Sequence, residues 1–195
     1  MEINHIVVQA GGKGTRLGYL TANKPKAMVS INNQPLLFHL FKKFKDKKFV
    51  IISDYKSDVL QNYLECFSKE KYLLVKANGN GTCGGVRQAL DLLPDKEPFL
   101  LIWSDLILSD EFLLPEKIDN YIGISGTFSC RWSYTDGVFV EQPSNQHGVA
   151  GLFIFKDKSV ISNVPENGEL VRWMQDKIIG FTEIDLNGAQ EFGLL

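Results

Sequence analysis

Apolar residues along this chain fall into short continuous runs, separated by stretches whose apolar positions recur with helical period. The runs HIVVQ (5–9), KFVIIS (48–53), YLLVKA (72–77), PFLLIWSD (98–105), YIGISGTFS (121–129) and GVAGLFIF (148–155) are rich in Val, Ile, Leu and Phe and suit buried strands. Between the early runs lie amphipathic segments. In PLLFHLFKKF (35–44), Pro35 suits the first helical position and Leu37, Leu40, Phe41 and Phe44 share one face. In SDVLQNYLECF (57–67), Ser57 suits an N-cap and Leu60, Tyr63, Leu64 and Phe67 form the predicted buried stripe. Alternation of this kind predicts right-handed βαβ units, hence an α/β fold with a mostly parallel sheet and helices on both faces. The most loop-like stretch, EQPSNQHG (141–148), reads as an internal connection, so residues 1–195 are expected to form a single domain.

Composition changes this picture little but excludes several roles. A chain of 195 residues with 44% hydrophobic and 23% charged content is ordinary for one α/β domain. Its formal net charge of −2 argues against general affinity for nucleic acid or an anionic membrane surface. Cys66, Cys83 and Cys130 are odd in number and too widely spaced for a zinc site, and read as reduced thiols of a cytoplasmic protein. The start MEINH has no basic leader character, and no apolar stretch approaches the roughly 18 residues of a membrane span.

Positive charge matters where it clusters. Directly after the first strand run, QAGGKGTRLGYLTANKPKAMV (9–29) combines four glycines with Lys13, Arg16 and Lys26. In doubly wound folds ligands settle at the carboxyl ends of strands, so a phosphate-binding loop is expected there. Glycines leave backbone N–H groups open to an oxyanion, Arg16 can fork onto a phosphate, and the lysines supply compact charge. Alone, GGKG reads equally well as an ordinary glycine turn with solvated lysines. Two familiar loops are excluded by spacing: from Gly12 the dinucleotide fingerprint needs a glycine where Leu17 stands, and Gly14 is followed by Thr15 and Arg16 rather than the Lys-Ser/Thr of a P-loop.

The string AGGKGTRLGYLT followed by KPKAMV resembles the signature of the sugar-phosphate nucleotidyltransferases, which make nucleotide-sugars from a nucleoside triphosphate and a sugar 1-phosphate. Three further blocks resemble the same family in its order: NGNGTCGGVRQAL (78–90), the base-reading loop and helix; FLLIWSDLIL (99–108), the strand ending in a metal-binding aspartate; and FTEIDLNGAQEFG (181–193), the block of a second metal ligand. The resemblance implies a three-layer α/β/α Rossmann-like sheet, mixed and mostly parallel. It implies nucleotide binding by Ala10, Gly11, Gly12, Lys13, Gly14, Thr15, Gly81 and Thr82, and catalysis by Arg16 and Lys26. It implies Mg²⁺ on Asp105 and Asp185, with Glu183 as the alternative second ligand, and an acceptor pocket that includes Gly151 and Glu166. Ser104 departs from the family's usual glycine before the aspartate, and a turn cap is the lesser reading of Asp105 beside metal binding.

This chemistry joins two anions, so it needs charge neutralisation and alignment more than proton transfer. Mg²⁺ keeps several waters and takes one or two protein carboxylates, which the two aspartates would supply. The expected function is therefore Mg²⁺-dependent transfer of a nucleotide to a sugar 1-phosphate for cell-surface polysaccharide, in the cytoplasm, with pyrophosphate released and without nucleic-acid or membrane partners. The EID form of the last block and the short chain leave open a cytidylyltransferase for a small non-sugar phosphate such as phosphocholine. A non-catalytic nucleotide-binding regulatory module is a third reading, against which Arg16, Lys26 and Asp105 speak. Thr82 reads equally as a helix N-cap, Trp103 as core rather than platform, Gln9 as a strand-end polar group, and Arg131 and Arg172 as acceptor contacts or surface residues. The base, the acceptor and self-association are not legible, and the chain is compatible with being the catalytic part of a longer protein.

Overall fold

The structure, a computed structural model, describes residues 2–193. Nine strands form one sheet: β1 (His5–Gln9), β2 (Lys48–Ser53), β3 (Tyr72–Lys76), β4 (Phe99–Trp103), β5 (Tyr121–Ser125), β6 (Ser133–Thr135), β7 (Val138–Val140), β8 (Gly148–Phe155) and β9 (Thr182–Asp185). Four helices accompany them: α1 (Leu36–Lys43), α2 (Ser57–Phe67), α3 (Cys83–Leu90) and α4 (Leu170–Gln175). The main path runs β7-β6-β8-β4-β1-β2-β3, with β5 pairing β8 and β9. Strands β4, β1, β2 and β3 are mutually parallel, whereas β8 runs antiparallel to both β4 and β5, so the sheet is mixed.

Two-residue alternation decides which face each side chain joins. Ile6 and Val8 of β1, Phe49 and Ile51 of β2, and Leu100 and Ile102 of β4 pack with Leu37, Leu40 and Phe41 of α1 and Leu60 and Leu64 of α2. Val7, Val50, Ile52, Phe99 and Leu101 point the other way, onto Val86 and Ala89 of α3 and Leu170 and Met174 of α4. The helix layers follow from the path. The chain moves outward from β1 through α1 and α2, then returns through α3 to the other edge of β1, and a reversal of direction puts the crossover helix on the opposite face. The mouth of β1 therefore lies at the switch point where such sheets bind ligands.

Local expectations need three corrections. Pro35 precedes α1 rather than opening it, with ψ of 145°, and pairs with Ser30. Lys56, at φ 54°, occupies the cap position of α2, while Ser57 lies inside the first turn with its hydroxyl 2.7 Å from Ser53 Oγ. Phe67 is 61% exposed; it is the last residue of α2 and packs tilted against Tyr63, with ring centres 4.7 Å apart, at the rim instead of entering the core. Among the described residues, no helix is long and apolar enough to cross a membrane.

Candidate active site

The glycine loop leaves β1 through buried Ala10, whose N–H donates to the Ile52 carbonyl at 2.8 Å. Gly14 turns the chain at φ 64°, and a Cβ there would press at 3.0 Å on the Cβ of Lys26. Only glycine combines that left-handed backbone with that approach. Lys26 N in turn donates to the Gly12 carbonyl at 3.1 Å, so the lysine backbone is laced under the loop. Among the described residues the N–H groups of Gly12 to Thr15 find no protein acceptor, which leaves them as open donors. Gly12, Lys13, Thr15 and Arg16 are exposed, and the Lys13 ammonium lies 5.5 Å from the Tyr55 ring centre.

The Lys26 side chain, 10% exposed, ends in an ion pair with Asp105, 14% exposed, directly beyond β4. This pair stands where two clefts meet. One, about 280 Å³, is lined by Gly12, Gly14, Arg16, Lys26, Thr82 and Asp105. The other, about 570 Å³, shares Arg16, Trp103 and Asp105 with the first and adds Trp132, Glu169 and Glu191.

Glu191 arrives from the far end of the chain. Residues Gln190 and Glu191 pair antiparallel with Leu106 and Ile107, and Phe192 N donates to the Asp105 carbonyl at 2.9 Å. Burial and the neighbouring Asp105 charge push the Glu191 carboxyl above its ordinary range, while Lys26 and Arg16 pull it back. Two acids and two bases thus converge at the cleft junction. Asp185 does not join them. It ends β9, exposed, and accepts a hydrogen bond from Asn187 Nδ2 at 2.9 Å; Glu183 is also exposed and lies towards Tyr134.

The loop at 78–82 is held by the segment before α4. Gly168 N donates to Asn80 O at 2.8 Å, Cys83 N to Gly168 O at 3.0 Å, and Asn80 N to Asn167 Oδ1 at 2.9 Å. Gly81 bridges Gly168. Thr82 does sit at the cap position of α3, but its hydroxyl accepts from Leu170 N at 2.8 Å rather than from its own helix. Gln9 Nε2 donates to Thr82 O at 3.0 Å, so this strand-end side chain braces the loop against β1. Glu166 is exposed beside the same loop, outside the larger cleft; Glu169, which caps α4 through Val171 N and Arg172 N, lines that cleft instead. Arg131 and Arg172 both pair with Glu141 and lie 5.9 and 5.7 Å from the Trp132 ring centre.

Gly151 lies within β8 at φ 79°, where the register against β5 shifts. It comes just beyond the end of the β4 ladder, whose last pair is Leu152 with Ile102, and a Cβ there would fall inside the Trp103 indole. The pattern of the chain singled out neither Glu191 nor Glu169, and it read Gln9 only as a strand-end polar group, not as a brace for the 78–82 loop. Glu191 stands inside the last block quoted above, but nothing local marks its partner.

Residues 5–122, more than half of the chain, match the family model described as nucleotidyl transferase. The chain belongs to that family. It is 27% identical over 176 residues to the catalytic subunit beta of mannose-1-phosphate guanylyltransferase from Dictyostelium discoideum, an alignment covering 87% of this chain and 44% of that protein. The chain thus spans less than half the length of the curated relatives it matches first. Among solved structures, HddC from Yersinia pseudotuberculosis complexed with GMP-PN superposes with a TM-score of 0.77 at 20% identity, covering 98% of this chain and 95% of that one. The CTP:phosphocholine cytidylyltransferase LicC of Streptococcus pneumoniae gives 0.75 at 18%, covering 99% and 94%. These two likenesses establish the common mixed α/β/α fold.

Proposed function

We propose that this chain transfers a nucleoside monophosphate from a triphosphate to a sugar 1-phosphate and releases pyrophosphate. The observation that carries the reading is the Lys26–Asp105 pair at the junction of a glycine-loop cleft and a second, tryptophan-lined cleft. The open N–H groups of Gly12 to Thr15 take the triphosphate oxygens, and Arg16 neutralises the departing pyrophosphate. Lys26 brings its charge to the junction, where an oxygen of the acceptor phosphate bonds to the α-phosphorus as the bridge to the β-phosphate breaks. No side chain need accept a proton, because the attacking oxygen is already an anion.

The acids fit Mg²⁺. Asp105 and Glu191 supply hard oxygens close enough for one charge to act on the other, and Mg²⁺ takes only one or two protein carboxylates while keeping most of its waters. Asp105 and Glu191 would hold it, in place of the Asp105 and Asp185 pair that the sequence suggests. Bound there, the ion would neutralise phosphate charge as a Lewis acid. Gly81 and the Thr82 backbone flank the base, and Gly151 serves the acceptor side through Trp103. Location in the cytoplasm and use of the product in cell-surface polysaccharide belong to this reading on the sequence resemblance.

A cytidylyltransferase for a small non-sugar phosphate is the second reading, carried by the EID form of the last sequence block. One experiment separates them: pyrophosphate release with ATP, GTP, CTP, UTP or dTTP, each with Mg²⁺ and with mannose 1-phosphate, glucose 1-phosphate or phosphocholine. Turnover with a sugar phosphate supports the first reading. Turnover with CTP and phosphocholine alone supports the second, and none with any pair overturns both.

A further inference from the structure

The odd-numbered positions of β4 face α3 and α4, and Trp103 continues them past Phe99 and Leu101 to the carboxyl end of the strand. There it is half-buried, packed against that core on one side and open to both clefts on the other. Its seat is specific. Gly151, which packs against the indole, has no Cβ, and the left-handed turn it makes occurs where the β8 register against β5 shifts. A side chain at 151 would occupy the space the indole now fills.

The two tryptophans of the larger cleft differ in what remains free. Trp132 is 2% exposed and carries Arg131 and Arg172 near its ring. Trp103 has no aromatic partner and no cation on its ring among the described residues, and its Nε1 is neither hydrogen-bonded nor sealed from solvent. It is a rigid apolar plate with a spare donor at its edge, seated in glycine beside the Arg16, Lys26 and Asp105 charges.

We propose that Trp103 is a specificity-determining residue of the acceptor half, and that its indole is the plate on which a pyranose ring of the acceptor stacks. This rests on the nucleotidyltransferase reading above and names the class of acceptor that its second cleft selects. A pyranose offers a face of C–H groups to the ring and hydroxyl oxygens to Nε1, while its 1-phosphate points to the cationic junction. A compact acyclic phosphate offers no such face.

The test compares wild type with W103L, which keeps apolar volume against the core, and W103F, which keeps a ring. Mannose 1-phosphate, glucose 1-phosphate and phosphocholine are the acceptors, each with the preferred triphosphate. With a sugar phosphate, W103L should raise the acceptor KM by about tenfold, the scale of one aromatic stacking contact, with the triphosphate KM moved less than about twofold. W103F should recover most of the loss. Titrating the sugar phosphate without triphosphate should quench tryptophan fluorescence in wild type and clearly less in W103F, which keeps Trp132 in the same cleft, a readout that needs no turnover. A rise in triphosphate KM with acceptor KM unchanged overturns the proposal, as does equal quenching in W103F. If wild type makes no product from any pair, the nucleotidyltransferase reading fails, and the fluorescence difference still decides whether Trp103 meets the acceptor.

Discussion

Replacing Asp105 by Asn keeps the side-chain shape and strands the Lys26 ammonium. The lysine side chain is 10% exposed, so water can replace the lost carboxylate only in part. Removing one partner of a buried ion pair costs about 3–5 kcal/mol. This pair borders an open cleft and Glu191 stands beside it, which puts the expected loss at the lower end, about 3 kcal/mol. In a domain of this length each kcal/mol shifts Tm by about 2–4 °C, so Asp105→Asn should lower Tm by about 6–12 °C. Urea unfolding followed by circular dichroism measures the same loss as a shift in midpoint at constant slope. Lys26→Met added to Asp105→Asn removes the stranded charge, and the double variant should be more stable than Asp105→Asn alone, with a coupling of about 2 kcal/mol. A single variant within about 0.5 kcal/mol of wild type, or fully additive losses, would refute the reasoning: the pair would then behave as solvated surface charges.

Burial pushes the His5 imidazole below its ordinary value, against the opposing pull of Glu97, whose carboxylate is 3.4 Å from Nδ1. The unfolded chain therefore takes up this proton first as pH falls through about 6.5, and stability falls with it; His5→Gln should lose less stability than wild type between pH 7.5 and 5.5 in urea titrations. For the cation, Mn²⁺ binding read by electron paramagnetic resonance should weaken by about tenfold in Glu191→Gln, the loss of one of two carboxylate ligands, and stay unchanged in Asp185→Asn. The reverse ranking would return the second ligand to β9. Burial pushes the Cys83 thiol to about 11 and the Cys130 thiol to about 12, whereas Cys66 is exposed. A thiol reagent at pH 8 should then modify one cysteine of the native protein quickly and the other two only on unfolding.

Much of the sheet was legible because face and period are local properties. Val7 and Val8 alternate between the two cores for the same reason that their run reads as a strand, and the glycine loop follows the first run whatever the rest of the chain does. Helix ends were less legible. The left-handed Lys56 and the rim position of Phe67 depend on how α2 docks, not on its own period.

The sequence by itself determined the buried strands, the glycines and positive charge after the first of them, and the acid that follows the fourth. Tertiary structure alone decided which charges meet. Lys26 and Asp105 are 79 positions apart, and their pairing requires β4 to lie beside β1. Glu191 reaches Asp105 because the last described residues return to pair with Leu106, and Trp103 faces the cleft because β8 sets a glycine against its indole. A periodicity records which side of its own element a residue takes. Which element will stand on that side is fixed only when strands pair and the chain closes on itself.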